Sequence, residues 1–110
     1  MHVGDLDDNS NNPPSPRWQA RILVTVHDAS HSLVDGATVE ATVTFGASSA
    51  TLTCVTAGGQ CQMVEQVDDT IGSATFTITG VTRAGLSYDA AANHDPDGDS
   101  TGTAITVNRP

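Results

Sequence analysis

Trp18-Gln19-Ala20-Arg21-Ile22-Leu23-Val24-Thr25-Val26-His27 decides the fold. Trp18, Ala20, Ile22, Val24 and Val26 alternate with Gln19, Arg21, Leu23, Thr25 and His27, a period of two that marks a half-buried strand with one inward face. Working outward, Asp28-Ala29-Ser30-His31 reads as a turn opened by an Asx-type aspartate. Further strands are expected over residues 37–45, 50–55, 62–67, 73–81, 86–91 and 103–107. The fifth, around Ala74, Phe76 and Ile78, is the most regular. Seven strands at roughly ten-residue spacing, with no helical period, predict an all-β chain: a seven-stranded antiparallel Ig-like β-sandwich.

On the other side of Trp18, residues 1–8 read as a short acidic segment and residues 9–16 (Asn-Ser-Asn-Asn-Pro-Pro-Ser-Pro) as an extended linker. The expected organisation is therefore an N-terminal segment and linker over 1–17, packing on a domain over 18–110. A chain of 110 residues has room for one core. Aromatics are only 4%, so Val, Ile, Leu and Ala must fill that core. Trp18, Phe45, Phe76 and Tyr88 are read as core residues, Tyr88 with a tyrosine-corner-like bond to backbone. No apolar run is long enough for a transmembrane helix, and the start has no signal-peptide pattern.

Charge narrows the partners. Thirteen acidic residues face four basic ones, all arginine, for a net charge of −9. Nucleic acid and anionic membrane are poor partners for such a chain, and the same charge favours a monomer. With no lysine, Schiff-base chemistry and a phosphate-binding G-x-x-x-x-G-K loop are excluded. No nucleophile elbow is present, and a sandwich this small lacks a cleft to desolvate a catalytic carboxylate, so no enzyme is expected.

Cys54 and Cys61 flank Gly58-Gly59, a tight-turn pair, and are read as a disulfide across a hairpin. Such a bond would be worth about 2.5 kcal/mol in the chain-entropy model and implies an oxidising compartment. The alternative is a pair of reduced, buried thiols.

The stretch Val24 to Val39, with Asp28, Val34, Gly36-Ala37 and Val39 as its anchor points, resembles the opening of bacterial Ig-like (invasin/Big-type) modules of exported proteins. Leu33 stands where those modules usually carry proline, and His31 or Ser32 where they carry Gly or Asn. The resemblance implies an accessory domain of a secreted or cell-surface protein, with neighbouring domains of the parent chain as partners.

Asn93-His94-Asp95-Pro96-Asp97-Gly98-Asp99 places carboxylates at alternate positions around a bend. Hard oxygen donors in a loop suit Ca²⁺ better than Mg²⁺, and the pattern resembles the start of calcium loops. In an Ig-type sandwich, the loop before the last strand lies at the same end as the start of the first strand. Asp5, Asp7 and Asp8 are therefore expected to join Asn93, Asp95, Asp97 and Asp99 around Ca²⁺; the alternative is a solvated acidic turn. The histidines are read otherwise. His27 and His31 flank a strand-to-turn junction without helical i,i+4 geometry and are read as surface residues. His2 and His94 are read as solvated or as neighbours of carboxylates.

The resulting functional reading is a non-catalytic, calcium-stabilised structural or spacer module. The alternative is an adhesion module binding protein or glycan. The missing lysines and the bare Met start are also compatible with an engineered binding scaffold.

Overall fold

The computed structural model describes residues 1–12, 16–96, 98 and 100–110. Residues 13–15 of the expected linker, and Asp97 and Asp99 of the expected calcium loop, lie outside the described residues. The chain folds as seven antiparallel strands: β1 (His2–Asp8), β2 (Arg17–His27), β3 (Thr38–Phe45), β4 (Ser48–Val55), β5 (Gln60–Asp68), β6 (Ser73–Thr82) and β7 (Ala104–Asn108). They form two sheets, one ordered β1-β2-β5 and the other β4-β3-β6-β7, packed as an Ig-like sandwich. β4 stays paired with β3 instead of crossing to the sheet that holds β5.

The inward faces are those the alternation marks. Trp18, Ala20, Ile22, Val24 and Val26 of β2 meet Val39, Ala41 and Val43 of β3 and Ala74, Phe76 and Ile78 of β6 in one buried cluster. Trp18 is fully buried, and its indole Nε1 donates to Ile71 O at 2.8 Å, so its polar edge is satisfied as burial requires. Between β4 and β5, Gly58 (φ 62°) and Gly59 (φ 80°) make the tight turn. Cys54 and Cys61 are joined, with Cα atoms 5.8 Å apart, and the bond bridges the edge strands of the two different sheets.

Two strand expectations are corrected. Residues 2–8 are a full edge strand, not a separate segment, so the sandwich begins at His2 instead of Trp18. Gly4 is an extra residue, because the register with β2 shifts between Val3 and Asp5. That bulge turns both Val3 and Leu6 into the core although they are three apart, which hides them from a period-of-two reading. Conversely, residues 86–91 form no strand. Arg83 and Leu86 make an isolated bridge, and Ala90–Ala92 form a short 3-10 turn capped by Asp89, whose Oδ1 accepts from Ala91 N. An alanine run behind an aspartate cap favours a helical turn over a strand. Tyr88 is half-buried there, and its hydroxyl accepts from Asn93 Nδ2 at 2.6 Å instead of bonding backbone.

Candidate metal centre

The chain has four histidines, and all four meet at one end of the sandwich. His2 opens β1, His27 closes β2, His31 sits in the β2–β3 turn and His94 lies in the β6–β7 connection. One ring nitrogen from each falls within 4.8 Å of the others. This corrects the reading of His27 and His31 as separate surface residues. A β-strand end followed by a tight turn returns the chain on itself, so two histidines four apart converge without a helix.

The arrangement is close to a regular tetrahedron. All six ring-centroid distances fall between 5.2 and 6.1 Å, whereas a square would make its diagonals about 1.4 times its sides. A tetrahedron with edges of about 5.6 Å places each ring centre roughly 3.4 Å from its middle. Zn–N bonds of about 2.0–2.1 Å would put the rings at roughly 3.2 Å. Imidazole donors in tetrahedral geometry suit Zn²⁺, while Cu²⁺ and Ni²⁺ favour square arrangements.

Each histidine is positioned by something the sequence supplies. His2 pairs with His27 across the β1–β2 ladder. A Cβ on Gly4 would lie 2.2 Å from His27 Nδ1 and 2.5 Å from its Cε1, so only glycine lets that ring lie across β1. His31 is held by an Asx turn in which Asp28 Oδ1 accepts from Ser30 N (2.8 Å) and Ser32 N (3.0 Å). It takes φ 63°, alone among described non-glycine residues at positive φ. His94 is set by its own N–H donating to Val3 O at 3.1 Å and by Gly102 (φ 83°), where a Cβ would strike the His94 backbone at 2.5 Å. His94 Nδ1 lies 3.3 Å from Ala92 O, a carbonyl that would fix the tautomer with Nε2 free to ligate.

The centre is electrically primed for a cation. Burial first, and then repulsion from the other histidines, lowers the pKa of both His2 and His27. Neutral imidazole is the metal-binding form. His2 Nε2 and His27 Nδ1 are buried without a hydrogen-bond partner among the described residues. Because folding depresses both pKa values, their stability contribution is present above pH 6.5 and is lost as pH falls through the lowered folded values.

Of the expected acidic ligands, Asp95 follows His94 in the β6–β7 connection, and Asp8 lies at the far end of β1, opposite Ile22. Asp5 and Asp95 do come together, with Asp7 close by, but through β1, whose start lies beside the β6–β7 connection, and not through the Trp18 end of β2. Burial first, then hydrogen bonding and repulsion from Asp95 and Asp7, pushes the Asp5 carboxyl up to about 7, and its Oδ1 is buried without a hydrogen-bond partner among the described residues. Asp95 accepts from Gly98 N at 3.2 Å and from Ser100 Oγ. Asp8 is exposed and accepts from Ser10 N at 2.9 Å. Asn93 ties β1 to the β6–β7 connection: its Oδ1 accepts from Val3 N (2.7 Å) and its Nδ2 donates to Tyr88 and Thr103.

Asp5 yields a prediction with a definite sign. Its folded pKa lies above its unfolded value, so stability falls as pH rises from about 4 to 7 and stays lowered above that. In metal-free protein, Asp5→Asn should raise the melting temperature at pH 8 and leave it unchanged near pH 4. Solvent screening discounts the shift heavily, leaving about 1 kcal/mol or ~4 °C. An equal effect at both pH values in thermal melts would contradict the assignment.

A separate open groove of about 360 Å³ runs past Asp28, Leu33, Val34, Asp35, Arg83 and Leu86. Arg83 is turned back on the protein there, with Nε donating to Asp35 O at 2.6 Å. Compared with protein-family models, curated proteins and solved structures, the chain matches none, so the four-histidine centre is read from its own geometry.

Proposed function

We propose that this chain is a non-catalytic Ig-like module whose fold is stapled by one transition-metal ion, zinc by preference, held by His2, His27, His31 and His94. The observation that carries the reading is the near-regular tetrahedron formed by every histidine in the chain. Four protein donors would complete a tetrahedral sphere, which is the pattern of structural zinc sites. The ligands come from β1, β2, the turn after it and the β6–β7 connection, so binding would favour only the folded arrangement. Such linkage adds about 2.7 kcal/mol at a hundredfold excess over Kd. The Cys54–Cys61 bond supports an oxidising setting, secreted or at a cell surface, where the module would space or brace neighbouring domains of a longer protein.

The second reading keeps Ca²⁺ at Asp5, Asp7 and Asp95. It is favoured by the Asp5 Oδ1, buried without a partner among the described residues, and by the raised pKa of Asp5, since a cation would relieve the repulsion there.

Calorimetric titration of metal-stripped protein separates the two, with melts repeated in zinc, calcium and magnesium. The expected result is one zinc per chain and a gain of roughly 10 °C at a hundredfold excess. A shift with calcium alone would move the site to the carboxylates. No response to any metal would leave a metal-free sandwich.

A further inference from the structure

The four histidines are unequal. His2 is buried and His27 and His94 are half-buried, but His31 is exposed. The first three are fixed by the sheets or by segments hydrogen-bonded to them: His2 and His27 by the β1–β2 ladder, His94 by Val3 O, Gly102 and Ala92 O. His31 hangs from a short turn closed on itself, through His31 N to Asp28 O and Asp28 N to Ser32 O. Its backbone is in the left-handed region, a conformation that a non-glycine residue gains by leaving.

We infer that His31 is an exchangeable ligand, and that the centre, on the metal-site reading above, presents a fourth position that takes a neutral nitrogen donor of the imidazole class from outside the chain. Three sheet-anchored histidines hold the ion while the turn opens and closes. The surroundings select the class of donor. Asp28 acts electrostatically on both His27 and His2, and Asp95 directly follows His94, in a chain of net charge −9. These carboxylates offset the ion's own positive charge, so an incoming anion gains less there than at a bare cation, while a neutral imidazole loses nothing. No bond other than the metal–nitrogen bond changes, since one imidazole replaces another.

Cobalt(II), which takes the zinc geometry and absorbs in the visible, provides the readout. Native protein loaded with one equivalent should change its cobalt spectrum as free imidazole is added, with cobalt still bound after gel filtration. Azide at the same concentration should change it far less. His31→Ala should keep its cobalt and respond at an imidazole concentration at least tenfold lower, because no internal ligand competes. A native spectrum that imidazole leaves unmoved would show a closed four-histidine site and overturn the inference. So would loss of cobalt instead of a spectral shift, a His31→Ala chain that binds no cobalt, or an azide response equal to that of imidazole. A native chain with no tetrahedral cobalt spectrum at all would instead fail the metal-site reading itself, and the inference with it.

Discussion

Gly4→Ala should lower zinc affinity by ~100-fold or more while leaving the sandwich folded. The added methyl would sit 2.2 Å from His27 Nδ1, 2.5 Å from Cε1 and 2.8 Å from Cγ, a conflict with the whole ring and not with one atom. The three nearest atoms all belong to the His27 side chain, so the imidazole can swing out and the strand pairing can survive. Gly4 is not among the glycines held at positive φ, so alanine brings no strain of its own. The loss then falls on the metal centre, which keeps three donors in place of four. A hundredfold drop corresponds to about 2.7 kcal/mol of binding free energy. Gly72→Ala is the matched control, because a methyl there meets nothing within 4 Å. The two variants should melt within about 5 °C of each other without metal and diverge when zinc is added. Equal zinc affinity in both, measured by competition with a chelator, would remove His27 from the ligand set.

Trp18→Ala should cost about 3–5 kcal/mol, a large part of the 5–15 kcal/mol that holds a typical domain together. The indole is fully buried between the sheets, and its removal leaves a cavity that the β2 and β6 side chains cannot close. Ile71 O also loses its 2.8 Å donor. Trp18→Phe separates the two losses: it keeps most of the volume and should cost nearer 1 kcal/mol, the scale of one hydrogen bond, plus the unfilled space. Urea midpoints followed by far-ultraviolet circular dichroism would measure both. A Trp18→Ala loss below 1 kcal/mol would place the core elsewhere.

The two sheets were legible where alternation is strict. Trp18 to Val26 and Ala74 to Ile78 each point one face inward, and the strands lie where that pattern puts them. The first strand was hidden because a single bulged glycine changes the parity between Val3 and Leu6. The strand expected at residues 86–91 was not formed, because nothing in a local pattern reveals whether a neighbouring strand is free to pair. For the site, the expected first strand starts at Trp18, whereas the β6–β7 connection lies at the other end of that strand, beside His27. Asp95 reaches Asp5, and His94 reaches His2, only through β1, the strand that the alternation does not show. Seven oxygen donors in the acidic loop and N-terminal segment outnumber four imidazoles scattered along the chain, so local composition points to the carboxylates.

The disulfide and the four-histidine cluster sit on opposite flanks of the sandwich. Aligned face to face, the sandwich has one open flank between β4 and β5 and another between β1 and the β6–β7 connection. The cystine stitches the first seam, and the histidines meet at the second. On the metal-site reading, thiol reductant and chelator should therefore loosen different flanks, each lowering the melting temperature of a sandwich that its buried core keeps folded.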